Sequence, residues 1–209
     1  NERLNVEGKV FSVRNLRPNV PVPPERTIPI YVGALNPGML RLAGEIADGV
    51  LLNWLPASHV GGAIEAIATG ARRAGRCLAD IDIVCYVRAC VTPDLAAARQ
   101  WIRRELTGYA IVGAYHAHFT ACGFGAESAA CRAAWQHGDR TGATQCISDA
   151  MVHAMAAMGS PEVCRAHLAT FAEAGVNVPI VFPFSHEAEV FPAVMHTLQA
   201  IALVNQEQG

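Results

Sequence analysis

The sequence has no apolar run of the roughly 18 residues that a membrane-spanning helix needs, because Arg, Glu, Asp or His interrupts every candidate stretch. A soluble protein is expected. It has no basic block either. Sixteen Lys and Arg stand against eighteen Asp and Glu, a formal charge of −2, so nothing is concentrated to neutralise a phosphate backbone and nucleic acid is not an expected partner. The seven cysteines, at 77, 85, 90, 122, 131, 146 and 164, never take a C-x-x-C spacing, and their odd number argues against a disulfide framework. They read as reduced thiols of a cytoplasmic protein. Residues 1–25 are polar and Pro-rich, unlike a secretory leader, and the first residue is not Met, which suggests a processed or trimmed product. Neither G-x-G-x-x-G nor G-x-S-x-G occurs. The signatures of a doubly wound dinucleotide fold and of a hydrolase nucleophile elbow are thus missing.

What is present is a 209-residue chain with 52% hydrophobic and 16% charged residues, a balance that excludes disorder and supplies a sizeable core. Residues 1–26 alternate in short pieces, such as Lys9-Val10-Phe11-Ser12-Val13-Arg14, and then carry Pro18, Pro21, Pro23 and Pro24. They predict a hairpin or extended arm. From Ile28 the pattern changes to strand-then-helix units. Ile28–Val32 is a buried strand, and Met39–Ala47 has apolar residues at three- and four-residue steps. Val50–Leu52 is a second strand, followed by a helix that Ser58 caps and that runs to about Ala74. Ile81–Val91 is a third strand, and Pro93-Asp94 opens a helix to about Thr107.

Residues 108–150 look mostly helical with breaks, an insertion after the third strand. Asp149–Met158 predicts a helix stopped by Gly159. Ser160-Pro161-Glu162 starts another that Gly175 ends, Val178–Phe182 is a fourth strand, and Phe191–Val204 a closing helix. Four such units in series imply a parallel sheet with neighbours in chain order. They are half of a (β/α)8 barrel, which takes about 250 residues.

The block Pro29-Ile30-Tyr31-Val32-Gly33-Ala34-Leu35-Asn36-Pro37-Gly38-Met39-Leu40-Arg41-Leu42-Ala43-Gly44-Glu45-Ile46-Ala47-Asp48-Gly49-Val50-Leu51-Leu52-Asn53-Trp54-Leu55 resembles the bacterial-luciferase-like flavin and deazaflavin oxidoreductases, most closely the branch that uses coenzyme F420. Gly8-Lys9-Val10-Phe11, Val87-Arg88, Ala98-Arg99, Tyr109, and the stretch from Gly159-Ser160-Pro161-Glu162 to Ala174-Gly175-Val176 fit as well. The resemblance implies an α/β fold, a TIM (β/α)8 barrel to which this chain gives strands 5 to 8 and their helices, with residues 1–209 as its C-terminal half. It further implies hydride transfer between coenzyme F420 and a small organic substrate. Completion by an N-terminal half-barrel, or association into a homo-oligomer, goes with it, since the family's first four strands carry much of the wall around the cofactor ring. An FMN-dependent monooxygenase of the same superfamily, and a non-catalytic half-barrel that pairs with another chain, are the alternatives.

Several side chains are candidates for chemistry. Ala34, Leu35, Asn36, Pro37, Gly38 and Met39 stand between a strand and a helix start, where backbone N–H groups and the helix dipole favour a phosphate. By turn chemistry alone the same Asn-Pro-Gly makes an ordinary connection; by resemblance it is the cofactor phosphate loop. Asn53 and Trp54 follow the second strand at the end where barrels bind ligands. Asn53 could bond a ring edge or phosphate, and Trp54 could wall the pocket or simply pack under the insertion. Arg88 is a lone charge in an apolar strand, which calls for an anion at the cofactor face or, as the favoured reading, a carboxylate such as Glu45 or Asp48. His116, His118, His137 and His153 lack i, i+4 spacing and an acidic cluster, so no metal site is expected. Ser148-Asp149 and Ser160-Pro161-Glu162 read as helix caps. No catalytic residue is assignable, which suits hydride transfer, because there the cofactor carries the reactive atom.

Overall fold

The computed structural model describes residues 3–17 and 28–202. The arm prolines 18, 21, 23 and 24, and the end of the closing helix beyond Ala202, lie outside the described residues. At the N-terminus β1 (Leu4–Glu7) and β2 (Ser12–Leu16) form an antiparallel hairpin whose strand residues are all exposed.

The main sheet is parallel. β3 (Tyr31–Gly33) pairs with β4 (Gly49–Asn53), β4 with β5 (Asp82–Val91), and β5 with β7 (Val178–Pro183), all in the same direction. The four expected strands stand in the expected order, but the first is not the buried strand expected over Ile28–Val32: it is three residues long, and Ile28 and Ile30 before it are 63% and 67% exposed. Helices α1 (Pro37–Ile46), α2 (Ala57–Arg73) and α3 (Leu95–Ala110) follow β3, β4 and β5, as crossover connections between parallel strands require, and α9 (Val190–Ala202) follows β7. β3 starts later than expected because the chain before it is held otherwise: Ile30 donates its N–H to Asp48 Oδ2 at 2.8 Å.

The expected helix Asp149–Met158 is corrected. After α4 (Gly113–Ala121), α5 (Gly125–Gln136) and α6 (Arg140–Gln145), α7 (Asp149–Met155) stops, and β6 (Ala156–Gly159) runs parallel to Arg88–Val91. Arg88 and Ala89 pair with both β6 and β7. A strand has two edges, so β6 lies on the edge that β4 leaves free beyond Tyr86. The unpaired backbone of β5 captured a short apolar segment that local periodicity assigned to a helix. Gly159, at φ +134°, then turns the chain into α8 (Pro161–Glu173), where Ser160 Oγ caps Val163 N–H. A second correction concerns α2. Pro56 holds its N-cap position without a side-chain bond, and the Ser58 hydroxyl pairs with His59 Nδ1 at 3.0 Å instead.

The register divides the sheet into two faces. Val50, Leu52, Ile83, Cys85 and Val87 are buried in one core with residues of α1 and α2 and with Phe171 of α8. The opposite face carries Tyr31, Leu51, Asn53, Tyr86, Arg88, Ile180 and Phe182, and at its two margins Tyr31 and Phe182 remain 42% and 45% exposed. In a closed (β/α)8 barrel this second face would line the lumen. A separate core joins Trp54 to α3–α7 through Ile102, Leu106, Phe119, Cys131, Ile147 and Met151. It roofs the ends of β3 and β4, where the candidate residues lie.

Candidate functional site

Asn36 is extended at φ −102°, ψ 157°, and its Oδ1 accepts the Met39 N–H at 2.9 Å, with Pro37 at the first helical position. Turn chemistry is therefore satisfied. Ala34 N–H goes to Leu51 O at 3.2 Å and Leu40 N–H to Asn36 O at 2.9 Å. Among the described residues the N–H groups of Leu35, Asn36 and Gly38 have no protein acceptor. A Cβ at Gly38 would stand 3.2 Å from Asn36 Oδ1, slightly inside ordinary contact.

Beside this loop lies a cavity of about 230 Å3. Leu40, Leu52, Leu55 and Ala63 make it apolar, and Asn53, His59 and His118 bring the polar groups. Of the eight residues singled out in the sequence, Ala34, Leu35, Pro37 and Asn53 line it. Asn36, Gly38, Met39 and Trp54 do not.

Trp54 is only 1% exposed and packs edge-to-face on Tyr109, ring centroids 5.4 Å apart. It sits under the helical roof. Its backbone is left-handed at φ +51°, a conformation that a bulky residue holds only when its surroundings over-determine it. One fixing contact is visible: Trp54 O accepts from His118 Nε2 at 2.8 Å. Because a carbonyl only accepts, the neutral His118 ring carries its proton on Nε2. Burial pushes the His118 pKa below 6.5, against the opposing pull of the Trp54 and Leu35 backbone. Burial likewise lifts the neighbouring Cys122 thiol to about 11.

Arg88 overturns the expected ion pair. Glu45 instead lies 3.9 Å from Arg73, and Asp48 holds the Ile30 N–H. The Arg88 guanidinium stacks over Trp54 at 3.8 Å and faces Phe182 at 5.0 Å. Its Nη1 donates to Asn53 Oδ1, and Asn53 Nδ2 donates to Tyr115 Oη at 2.8 Å. Sequence reasoning missed Tyr115, and it considered His118 only as a metal ligand. Both sit on α4, and nothing in their spacing says that α4 folds back over β3 and β4. Among the described residues no three His, Cys, Asp or Glu side chains are grouped to hold a metal ion.

The family model described as luciferase-like monooxygenase matches residues 1–178. A 5,10-methylenetetrahydromethanopterin reductase of Methanolobus tindarius is 32% identical over 153 residues, covering 72% of this chain and 46% of that protein. An F420-dependent glucose-6-phosphate dehydrogenase of Beutenbergia cavernae is 33% identical over 122 residues, 54% of this chain and 34% of that protein. The solved structure of a coenzyme F420-dependent tetrahydromethanopterin reductase from Methanopyrus kandleri superposes with a TM-score of 0.64 at 26% identity, covering 83% of this chain and 49% of that one. The chain spans about half the length of the curated relatives it matches. With the match running from the hairpin through the parallel sheet to the start of β7, the chain belongs to the luciferase-like monooxygenase family, whose (β/α)8 barrel fold its strands share.

Proposed function

We propose that this chain is the cofactor-phosphate half of an oxidoreductase that transfers a hydride between coenzyme F420 and a small organic molecule. The observation that carries the reading is the loop Ala34–Met39. Three backbone N–H groups without protein acceptors stand at the start of α1, where the helix dipole adds to their attraction for a phosphate, and the cavity adjoins them. The residues present thus fit a phosphate-bearing cofactor. When bound, F420 supplies the carbon that takes or gives the hydride. Leu35, Asn36 and Gly38 hold the phosphate through their backbone. Asn53, anchored by Tyr115, orients what lies at the end of β4, and His118 keeps the Trp54 turn in place.

F420 is favoured over FMN by the F420-dependent glucose-6-phosphate dehydrogenase at 33% identity and by the solved coenzyme F420-dependent tetrahydromethanopterin reductase at 26% identity. Titrating F420 and FMN into the protein, followed by the fluorescence of each, is the test. Saturable binding of F420 with FMN weaker is expected; preference for FMN would move the assignment to a flavin monooxygenase.

The half-exposed lumen face supports one further element of the reading. Tyr31 and Phe182 cap the margins of a face that only a complementary set of strands would cover, so activity is proposed to need an N-terminal half-barrel or a second copy of the chain.

A further inference from the structure

We propose that Arg88 and Trp54 form a subsite for an oxyanion, a carboxylate or phosphate carried by the substrate, on the lumen face at the end of β5. The proposal rests on the oxidoreductase reading above and adds a substrate class to it.

The argument starts from what Arg88 lacks. It is 5% exposed and makes no ion pair within 4.0 Å among the described residues. Glu105 on α3, a carboxylate whose field reaches it, is an exposed side chain beyond that distance. Among the described residues Arg88 donates a hydrogen bond only to a neutral amide oxygen, Asn53 Oδ1, which orients the guanidinium without compensating its charge. A buried cation without a counter-ion is strongly destabilising, so such an arrangement persists where a ligand completes it.

The contacts of the guanidinium engage its faces and one nitrogen, Nη1. Trp54 covers one face of the guanidinium and Phe182 approaches it at 5.0 Å, so the remaining donors lie along its edge, the part that binds carboxylate or phosphate in bidentate fashion. Asn53 is itself fixed by Tyr115, which locks the fork in orientation. A second donor in the same stack is also unsatisfied: Trp54 Nε1 is buried without a hydrogen-bond partner. Indole N–H and guanidinium can only donate, so the missing group is an acceptor. The phosphate loop cannot supply it, since β3 and β5 are two strand spacings apart, about 10 Å. Phe182, still 45% exposed, borders the approach from the lumen.

The test is a titration of the isotopically labelled protein with inorganic phosphate and, separately, with acetate, following the Trp54 Nε1–H resonance, assigned through Trp54→Phe. Trp135 is an internal control, because the exposed Arg140 stacks on it at 3.6 Å and reports non-specific anion association in the same spectrum. Saturable movement of Trp54 well beyond that of Trp135 is expected. It should be absent in Arg88→Met and weakened at least about tenfold in Arg88→Lys, which keeps the charge but loses the fork. The stronger anion tells phosphate esters from carboxylic acids. A Trp54 resonance that stays still, tracks Trp135, or moves unchanged in Arg88→Lys would overturn the proposal. F420 binding with a silent Trp54 would remove the subsite alone; a phosphate response without F420 binding would remove the cofactor reading and leave the subsite.

Discussion

Helices α1 and α2 touch through backbone, and that contact can be tested with single methyl groups. A Cβ at Gly44 would fall 2.1 Å from Ile67 O, and one at Gly70 would fall 1.8 Å from Arg41 O. Ordinary contact begins at 3.4 Å, so the shortfalls are 1.3 and 1.6 Å. No rotamer change relieves them, because both obstacles are main-chain oxygens. Overpacking of this kind costs about 1–3 kcal/mol or more, against a helix-propensity gain of about 1 kcal/mol for Gly→Ala. Gly70→Ala should therefore lose up to about 2 kcal/mol net, a fall in Tm of up to about 8 °C at this chain length. Gly61→Ala is the control. It makes the same substitution in the same helix, yet no heavy atom lies within 4 Å of its Cβ, so stability should rise by up to about 1 kcal/mol. Thermal melts by circular dichroism decide it. A Gly70→Ala protein that melts at or above Gly61→Ala would refute the close-packed pair. Since α1 begins at the phosphate loop, Gly70→Ala should also weaken cofactor binding, while Gly61→Ala should not.

Three further outcomes follow from the same structure. Burial holds His118 and His167 below 6.5 in the folded chain, so the unfolded chain binds protons near pH 6.5 that the folded one refuses; stability is then full above pH 6.5 and declines as pH falls, and His118→Gln with His167→Gln should flatten Tm between pH 7 and 5. Cys85 and Cys90, both pushed up to about 12 by burial, Cys122, Cys131 and Cys164 should resist a thiol reagent at pH 8 until unfolding, whereas exposed Cys77 reacts at once; fast labelling of all five would contradict the cores described. Size-exclusion chromatography with light scattering should give a species larger than 22.2 kDa, and a monomer that unfolds cooperatively would mean that the lumen face needs no cover.

Strands β3, β4, β5 and β7 and their order are legible in the sequence because each is an apolar run bounded by Gly, Pro or Asp, and the caps Asp94, Ser148 and Ser160 announce their helices. Ala156–Gly159 is not legible: Ala and Met suit a helix equally, and the free edge of β5 decides the matter. Nor are the partners of Arg88. Asn53 and Phe182 lie 35 and 94 residues away, and only the strand register sets both beside it. Gly44 and Gly70 read as ordinary helix-weakening residues until two backbones meet at them. His118 and Tyr115 reach the site because α4 folds back over β3 and β4, a tertiary event that no local spacing encodes.

The most direct test of the account is the affinity of F420 for the protein and for two loop variants, read by isothermal titration. The account places the phosphate on backbone N–H groups, while the Asn36 side chain is already engaged with Met39. Gly38→Val puts a Cβ against Asn36 Oδ1 at 3.2 Å and crowds the loop, so it should weaken binding by an order of magnitude or more. Asn36→Ala removes only a cap worth about 1 kcal/mol of stability and should leave the affinity within a few-fold. Equal affinity of the two variants, or no F420 binding by the unsubstituted protein, would contradict the assignment of Ala34–Met39 as a phosphate loop.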